Sequence, residues 1–259
     1  MRWIDQGDAA ELELPAHLAE LREVFRGWEG VDLIPHPPGP LEKRLLVADM
    51  DSTMIGQECI DELADYAGVK PQVAEITERA MQGELDFAGA LRERVALLAG
   101  LEAAVIDQCL AERIRPSAGA ETLVRTMRSR GAMTVLVSGG FTAFVAPIAE
   151  RIGFERFEAN ILEVVGDRLS GRTEGRIVDS RVKHDVLTDV RNSLGLQSRE
   201  TLAIGDGAND IPMIEEAGLG IAYRAKPALA AAADALLDHH GLDALLWAQG
   251  IPRSEWVEA

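Results

Sequence analysis

Leu45-Leu46-Val47-Ala48-Asp49-Met50-Asp51-Ser52-Thr53 places an apolar, branched run directly before two carboxylates. A short run of this kind reads as a central strand of a parallel sheet, buried on both faces. Ligands of open α/β sheets gather outside the carboxyl ends of strands, so Asp49 and Asp51 emerge where chemistry usually sits. Side chains two apart on an extended segment share a face, which lets the two act together. Two like charges held close raise at least one pKa unless a cation offsets them. The pair therefore makes sense beside a metal, or with one member serving as an acid. Both demands are met when Asp49 attacks phosphorus and Asp51 handles protons, with Mg²⁺ neutralising the oxygens that Asp49 must approach. Taken alone, the five residues also fit a solvated turn rich in Asp, Ser and Thr.

Three later segments weigh against the turn. Met133-Thr134-Val135-Leu136-Val137 runs into Ser138-Gly139-Gly140, a second strand ending in a hydroxyl and unhindered amides able to cradle a phosphate. Lys183 follows Asp179-Ser180-Arg181-Val182 at a helix start and supplies a point charge suited to a transferring phosphoryl group. Thr201-Leu202-Ala203-Ile204 leads into Gly205-Asp206-Gly207-Ala208-Asn209-Asp210, a third strand followed by a glycine-rich acidic loop that offers hard oxygen ligands to Mg²⁺. Each has an ordinary explanation alone: a tight turn, a solvated lysine, a loop tolerant of positive φ. Together they place acidic and hydroxylic groups at the carboxyl ends of three strands, which line one crevice in a parallel sheet.

In this order, Asp49-x-Asp51-x-Thr53, Ser138, Lys183 and Gly205-Asp206-Gly207-Ala208-Asn209-Asp210 resemble the motifs of the haloacid dehalogenase-like phosphotransferases over roughly residues 41–240. The resemblance implies an α/β fold, a Rossmann-like three-layer α/β/α core with a parallel sheet and an inserted helical cap domain. It makes Asp49 the nucleophile and Asp51 the general acid and base, with Ser138 and Lys183 on phosphate oxygens. It puts Mg²⁺ on Asp49, the main-chain carbonyl of Asp51 and Asp206, with Asp210 supporting from behind and Asn209 reaching the phosphate. Lys183 is also placed to keep Asp49 ionised, since a nearby cation favours the charged form.

Residues 54–115 read as the inserted domain. Ile60, Leu63 and Ala64, then Val73, Ile76 and Ala80, then Leu91, Val95 and Leu98 recur at helical spacing, with Gly68, Gly83 and Gly100 as punctuation and Pro71 in a first turn. An insertion directly after the nucleophile is placed to exclude water from the site. Within it, Ile55-Gly56-Gln57-Glu58-Cys59-Ile60-Asp61-Glu62-Leu63-Ala64 and the stretch from Phe87 through Leu91, Arg92, Arg94 and Val95 to Leu101 resemble phosphoserine phosphatases. By that resemblance Glu58 pairs with a substrate ammonium and Arg94 forks onto its carboxylate. Met81 and Phe87 close over the ligand, and Gly139 and Gly140 contact its phosphate. A carboxylate plus a bidentate guanidinium is what an amino-acid zwitterion requires. Singly, Glu58 and Arg94 also fit helix-surface charges, and Met81 and Phe87 fit core.

The resemblance thus implies Mg²⁺-dependent hydrolysis of O-phospho-L-serine through an aspartyl-phosphate, the last step of serine biosynthesis. The alternatives are another small phosphoester such as phosphohomoserine or a sugar phosphate, transfer to an alcohol instead of water, and a catalytically silent binding module. Six intact site residues speak against the last of these.

At 259 residues and 47% hydrophobic the chain can bury a sizeable core, divided as a leader (1–40), a catalytic core (41–53 plus 116–259) and the cap (54–115). A formal net charge of −17 argues against nucleic acid and acidic membranes as partners, so local charges such as Lys183 and Arg94 must draw in an anionic substrate. No stretch approaches the roughly 20 apolar residues of a membrane span, and the charged amino terminus lacks a signal-peptide core, which makes the cytoplasm the expected compartment. Cys59 and Cys109 have no metal-ligand spacing and read as reduced thiols, and His239 and His240 as surface histidines. In the leader, Leu18, Leu21, Val24 and Phe25 predict an amphipathic helix, and Pro35, Pro37, Pro38, Gly39 and Pro40 a stiff linker. By the resemblance many family members carry a regulatory amino-terminal domain, and this leader reads as too short for a complete one. It is placed to pack on the core or to mediate dimer contacts, and a homodimer stays open. Gly166-Asp167 signals a hairpin, Pro227 to Leu237 an alanine-rich helix with no strand beyond Ala222, and Trp247 and Trp256 surface packing.

Overall fold

The computed structural model describes residues 1–13, 28–36, 41–81 and 84–258, without the side chain of Met81. The predicted leader helix, most of the proline linker and Gly83 lie outside these residues.

The branched run at 45–48 forms β3 (Leu45–Ala48), every residue of it buried. It lies at the centre of a seven-stranded sheet. On one side come β4 (Met133–Phe141), β5 (Arg156–Val165) and β6 (Arg168–Glu174). On the other come β7 (Thr201–Gly205), β8 (Leu219–Tyr223) and β9 (Ala235–Leu237). All neighbours run parallel except β5 and β6, the hairpin that Gly166-Asp167 announced. The chain leaves β3 toward β4 and later returns to its other flank as β7, so the carboxyl ends of β3, β4 and β7 surround a topological switch point.

Period-two alternation sorts the side chains of β3 into two layers. Leu46 and Ala48 pack with α5 (Ala120–Ser129) and α6 (Thr142–Ile152), while Leu45 and Val47 pack with α7 (Ser180–Ser193) and α8 (Ile211–Glu216). The three-layer α/β/α arrangement follows. Between β3 and α5 the chain forms α1 (Cys59–Tyr66), α2 (Lys70–Met81), α3 (Phe87–Ala96) and α4 (Ala104–Glu112). The first three match the predicted periodicities, with Pro71 in the first turn of α2. The two strands of chain that enter and leave this insertion are pinned together by the Ile55–Pro116 bridge and by Ser117 N donating to Met54 O at 2.9 Å. A second attachment comes from the β5–β6 hairpin: Gly100 N donates to Leu169 O at 2.8 Å and Leu169 N to Leu101 O at 2.9 Å.

The carboxyl-terminal third departs from expectation. The alanine-rich helix stops early, as α9 (Pro227–Ala232), and Ala233 turns extended so that residues 235–237 add β9 to the sheet edge. Asp234 forces the change: its amide donates to Gly220 O and its carboxylate accepts from Gly220 N, both short, locking the chain against β8. A three-residue strand is too short to leave a periodic signal. Beyond it, α10 (Ala244–Ala248) precedes Trp256, whose ring centroid lies 5.0 Å from that of Trp247.

The described leader packs on this carboxyl-terminal segment. β1 (Arg2–Asp5) and β2 (Ala9–Glu11) form a small hairpin, and Asp5 accepts from Trp247 Nε1 and Arg253 N. Asp32 accepts from the backbone amides of Asp238, His239 and His240 and from His240 Nδ1, so His240 serves packing, not chemistry. Burial works against ionising Asp32, but these donors hold its carboxyl below the usual range. Asp32→Ala is therefore expected to cost about 2 kcal/mol in denaturant unfolding at neutral pH. The difference from the parent should shrink as pH falls through the folded pKa and the carboxylate is lost. Among the described residues, no helix is long and apolar enough to cross a membrane.

Candidate active site

Directly after β3, Asp49 is still extended, at φ −71° and ψ 159°. Residues 50–54 form one wide turn closed by Ile55 N donating to Met50 O at 3.0 Å, with Ser52 left-handed at φ 53°. Within this turn Asp51 is itself extended, at φ −65° and ψ 139°, two residues after the extended Asp49. Asp49 N still pairs with Ile204 O across to β7, which fixes Asp49 to the sheet.

Asp49, Asp206 and Asp210 gather with carboxylate oxygens within 4.8 Å of one another, all three buried. Lys183, 1% exposed, projects from α7 between two of them and lies 2.7 Å from both Asp49 Oδ1 and Asp210 Oδ1. The other oxygen of Asp210 accepts from the amides of Asp206 and Gly207, so this carboxylate is spent on holding the loop and Lys183. Gly205 makes room for it: a Cβ there would lie 2.5 Å from Asp210 Cγ. Asn209 folds back over Gly207 and is half-buried.

Burial and then the charge of Asp210 push the Asp49 carboxyl well above its ordinary range, and Lys183 reverses this only in part. Lys183 thus favours the ionised form of Asp49, as its charge leads one to expect, without cancelling the rise. The lysine itself is held protonated by Asp210 and Asp49 against its burial. This excess of buried negative charge, on hard oxygen donors, fits a divalent cation such as Mg²⁺.

Burial, then Glu58, pushes Asp51 up to about 7, while the amide of Cys59 at the start of α1 donates to its Oδ1 at 3.2 Å and pulls the other way. A carboxyl near 7 can both give and take a proton at neutral pH. Ser138 is 1% exposed, and its Oγ accepts from Gly140 N at 2.8 Å. A Cβ on Gly140 would lie 3.0 Å from both Ser138 Oγ and Asp51 Oδ2, which places that hydroxyl and that carboxylate around one point.

The insertion reaches the same place. Phe87 lies on Gly139, where a Cβ would come 2.8 Å from Cζ of the ring. Glu58 accepts from Ser52 Oγ at 2.7 Å, and burial raises its pKa. Burial lowers the pKa of Arg94 against the charges of Asp61, Glu58 and Asp51, and its Nε donates to Ala90 O, leaving the fork unspent in that contact. Met81 ends α2, its side chain lying outside the described residues.

Two contributors were not anticipated. Lys226 Nζ lies 3.2 Å from Asp206 Oδ2, and its amide donates to Asp206 O at 2.8 Å. Ser52 links the turn after Asp49 to Glu58. A lysine before Pro227 and a serine inside the first motif carry no periodic signal, so only tertiary placement reveals them.

Known proteins match this geometry. Haloacid dehalogenase-like hydrolases match residues 46–215. The chain belongs to this family. Its resemblance to phosphoserine phosphatases extends well beyond the motifs. A phosphoserine phosphatase of Mycobacterium tuberculosis is 48% identical over 217 residues, 84% of this chain and 53% of that protein. One from Streptococcus thermophilus is 50% identical over 185 residues, covering 71% and 86% of the two chains. A substrate-bound phosphoserine phosphatase superposes with a TM-score of 0.74 at 38% identity, covering 80% of this chain and 98% of that one. The chain spans about half the length of the mycobacterial relative. The stretch matched by the family runs from β3 into α8 and includes α1 to α4.

Proposed function

We propose that the chain is a Mg²⁺-dependent phosphomonoesterase that hydrolyses O-phospho-L-serine through an aspartyl-phosphate on Asp49, serving serine biosynthesis in the cytoplasm. The observation that carries this reading is the buried Lys183 held between Asp49 and Asp210, with Asp51 near 7 one turn away. The relatives named phosphoserine phosphatase support the substrate. In this reading residues 54–115 form a cap over a core of 41–53 and 116–259, with 1–40 as a leader.

A carboxylate oxygen of Asp49 attacks phosphorus in line, and the bond from phosphorus to the serine oxygen breaks. Asp51 in its neutral form donates its proton to the departing alkoxide. Ser138 Oγ, the loop amides and Lys183 take up phosphoryl charge. Asp51, now ionised, removes a proton from the water that attacks the acyl phosphate, and the bond from phosphorus to Asp49 breaks to restore the enzyme. Asp49, Asp206 and the Asp51 carbonyl, with Asp210 behind, would hold Mg²⁺, which when bound would supply charge that lets the anionic nucleophile approach an anionic phosphate. Glu58 receives the ammonium, Arg94 the carboxylate, and Phe87 closes over Gly139 to exclude water.

Arg94→Ala tests the substrate. It is expected to reduce kcat/KM for phosphoserine by roughly 10- to 100-fold, with p-nitrophenyl phosphate little affected. An equal loss on both esters would remove the carboxylate contact.

The raised carboxyls also set a pH dependence. Asp51 moves from about 4 in the unfolded chain to about 7 in the fold. Across that window the folded state binds a proton that the unfolded state has released, so stability falls as pH rises. In chelator, the thermal midpoint should drop between about pH 5.5 and about pH 8, and added Mg²⁺ should restore more of it at the higher pH. A midpoint insensitive to Mg²⁺ at both values would contradict the metal assignment.

A further inference from the structure

Asn160 on β5 is 1% exposed, and its side-chain amide is used at both ends. Nδ2 donates to the Gly139 carbonyl at 2.8 Å, and Oδ1 accepts from the Val178 amide at 2.8 Å. A carbonyl needs a donor and an N–H needs an acceptor, so these partners fix which way the amide faces. Thr142 Oγ1 donates to the main-chain carbonyl of Asn160 and secures its backbone.

The peptide between Gly139 and Gly140 is planar and trans, so its C=O and N–H point in opposite directions. Holding the Gly139 oxygen toward β5 turns the Gly140 N–H the other way, where it donates to Ser138 Oγ at 2.8 Å. With glycine on both sides this peptide has little intrinsic preference, and it needs an external hold. A flipped peptide would aim a carbonyl oxygen where phosphoryl oxygens gather. The other end of the amide grips Val178, next to Asp179, whose carboxylate caps α7 by accepting from Val182 N at 3.0 Å. That helix carries Lys183.

We propose that Asn160 is a positioning residue for phosphoryl transfer: it fixes the Gly139–Gly140 peptide so that Ser138 Oγ is presented to the phosphoryl group. The proposal rests on reading Ser138 as a phosphate contact.

The test uses the full chain with Mg²⁺ and four variants: Asn160→Asp, Asn160→Ser, Ser138→Ala, and the double Ser138→Ala/Asn160→Asp. Aspartate keeps an acceptor for Val178 but sets an oxygen against the Gly139 carbonyl, while serine is too short to reach either partner. Asn160→Asp is expected to lower kcat on both phosphoserine and p-nitrophenyl phosphate by roughly 10²-fold. Inhibition by L-serine, which lacks the phosphate, should stay within about twofold of the parent. The double variant should be no worse than Ser138→Ala, because both changes act through one hydroxyl.

Additive losses, a selective effect on serine binding, or parental turnover by Asn160→Asp beside an impaired Ser138→Ala would overturn the proposal. Loss of the folded state in both Asn160 variants would make Asn160 a packing residue and overturn it too. Full turnover by Ser138→Ala would instead overturn the phosphate-contact reading beneath it.

Discussion

Asp49→Asn is expected to lower phosphate release by roughly 10⁴-fold or more, because the variant has no carboxylate to form the acyl phosphate and Asp51 is then left without an intermediate to hydrolyse. The fold should survive. Asparagine retains an oxygen to accept from Met50 N, a 2.7 Å bond in the parent. It also removes one member of a carboxylate cluster in which burial, and then the charge of Asp210, already raises the Asp49 pKa. In chelator at pH 8, the thermal midpoint of the variant should therefore equal or exceed that of the parent. Turnover assays and a melting curve check the two halves. Residual activity within about tenfold of the parent would transfer the nucleophile to another residue.

Lys183→Met carries the second large effect. The lysine lies 2.7 Å from both Asp49 and Asp210 with all three side chains almost wholly buried. Removing one partner of a buried ionic cluster costs about 3–5 kcal/mol, since the remaining charges stay desolvated and uncompensated. The cost should be smaller near pH 5, where the carboxyls with raised pKa take up protons, and largest above pH 7, where ionisation is demanded of them. Denaturant unfolding at the two pH values measures this, and a loss independent of pH would contradict the electrostatic account. Turnover should fall with it, because the phosphoryl group loses a fixed cation. Mg²⁺ should recover part of the stability and little of the activity.

The sequence carried the site more plainly than the sheet edges. Asp49, Ser138 and Asp206 were legible because each follows or ends a buried apolar run, and strand ends in a parallel sheet converge. Lys183 and Asp210 were legible from their place in the motif order, and the structure joins them directly. What stayed hidden depends on partners distant in the chain. Asn160 lies in the middle of a strand where a buried polar residue looks like an interruption, and its purpose appears only when Gly139 and Val178 arrive beside it. Lys226 reads as a surface lysine until Asp206 is placed next to it. β9 has three residues and so leaves no strand pattern, and the alanines between 228 and 233 advertise a helix longer than the one Asp234 permits. The β1–β2 hairpin leaves no pattern for the same reason of length. The wide turn at 50–54 was also invisible, because its left-handed Ser52 is imposed by closure onto Met50 and by the Glu58 contact rather than by residue preference.

The most direct test of the whole account is phosphate release from L-phosphoserine, phosphothreonine, phosphohomoserine and p-nitrophenyl phosphate, each measured with Mg²⁺ and with chelator, for the parent and for Asp49→Asn. The account predicts turnover that needs Mg²⁺ and Asp49 and that favours L-phosphoserine over the other three. Mg²⁺- and Asp49-dependent turnover favouring a different ester would leave the catalytic cluster standing and contradict the roles given to Glu58 and Arg94, while turnover in chelator, or by Asp49→Asn, would contradict the chemistry itself.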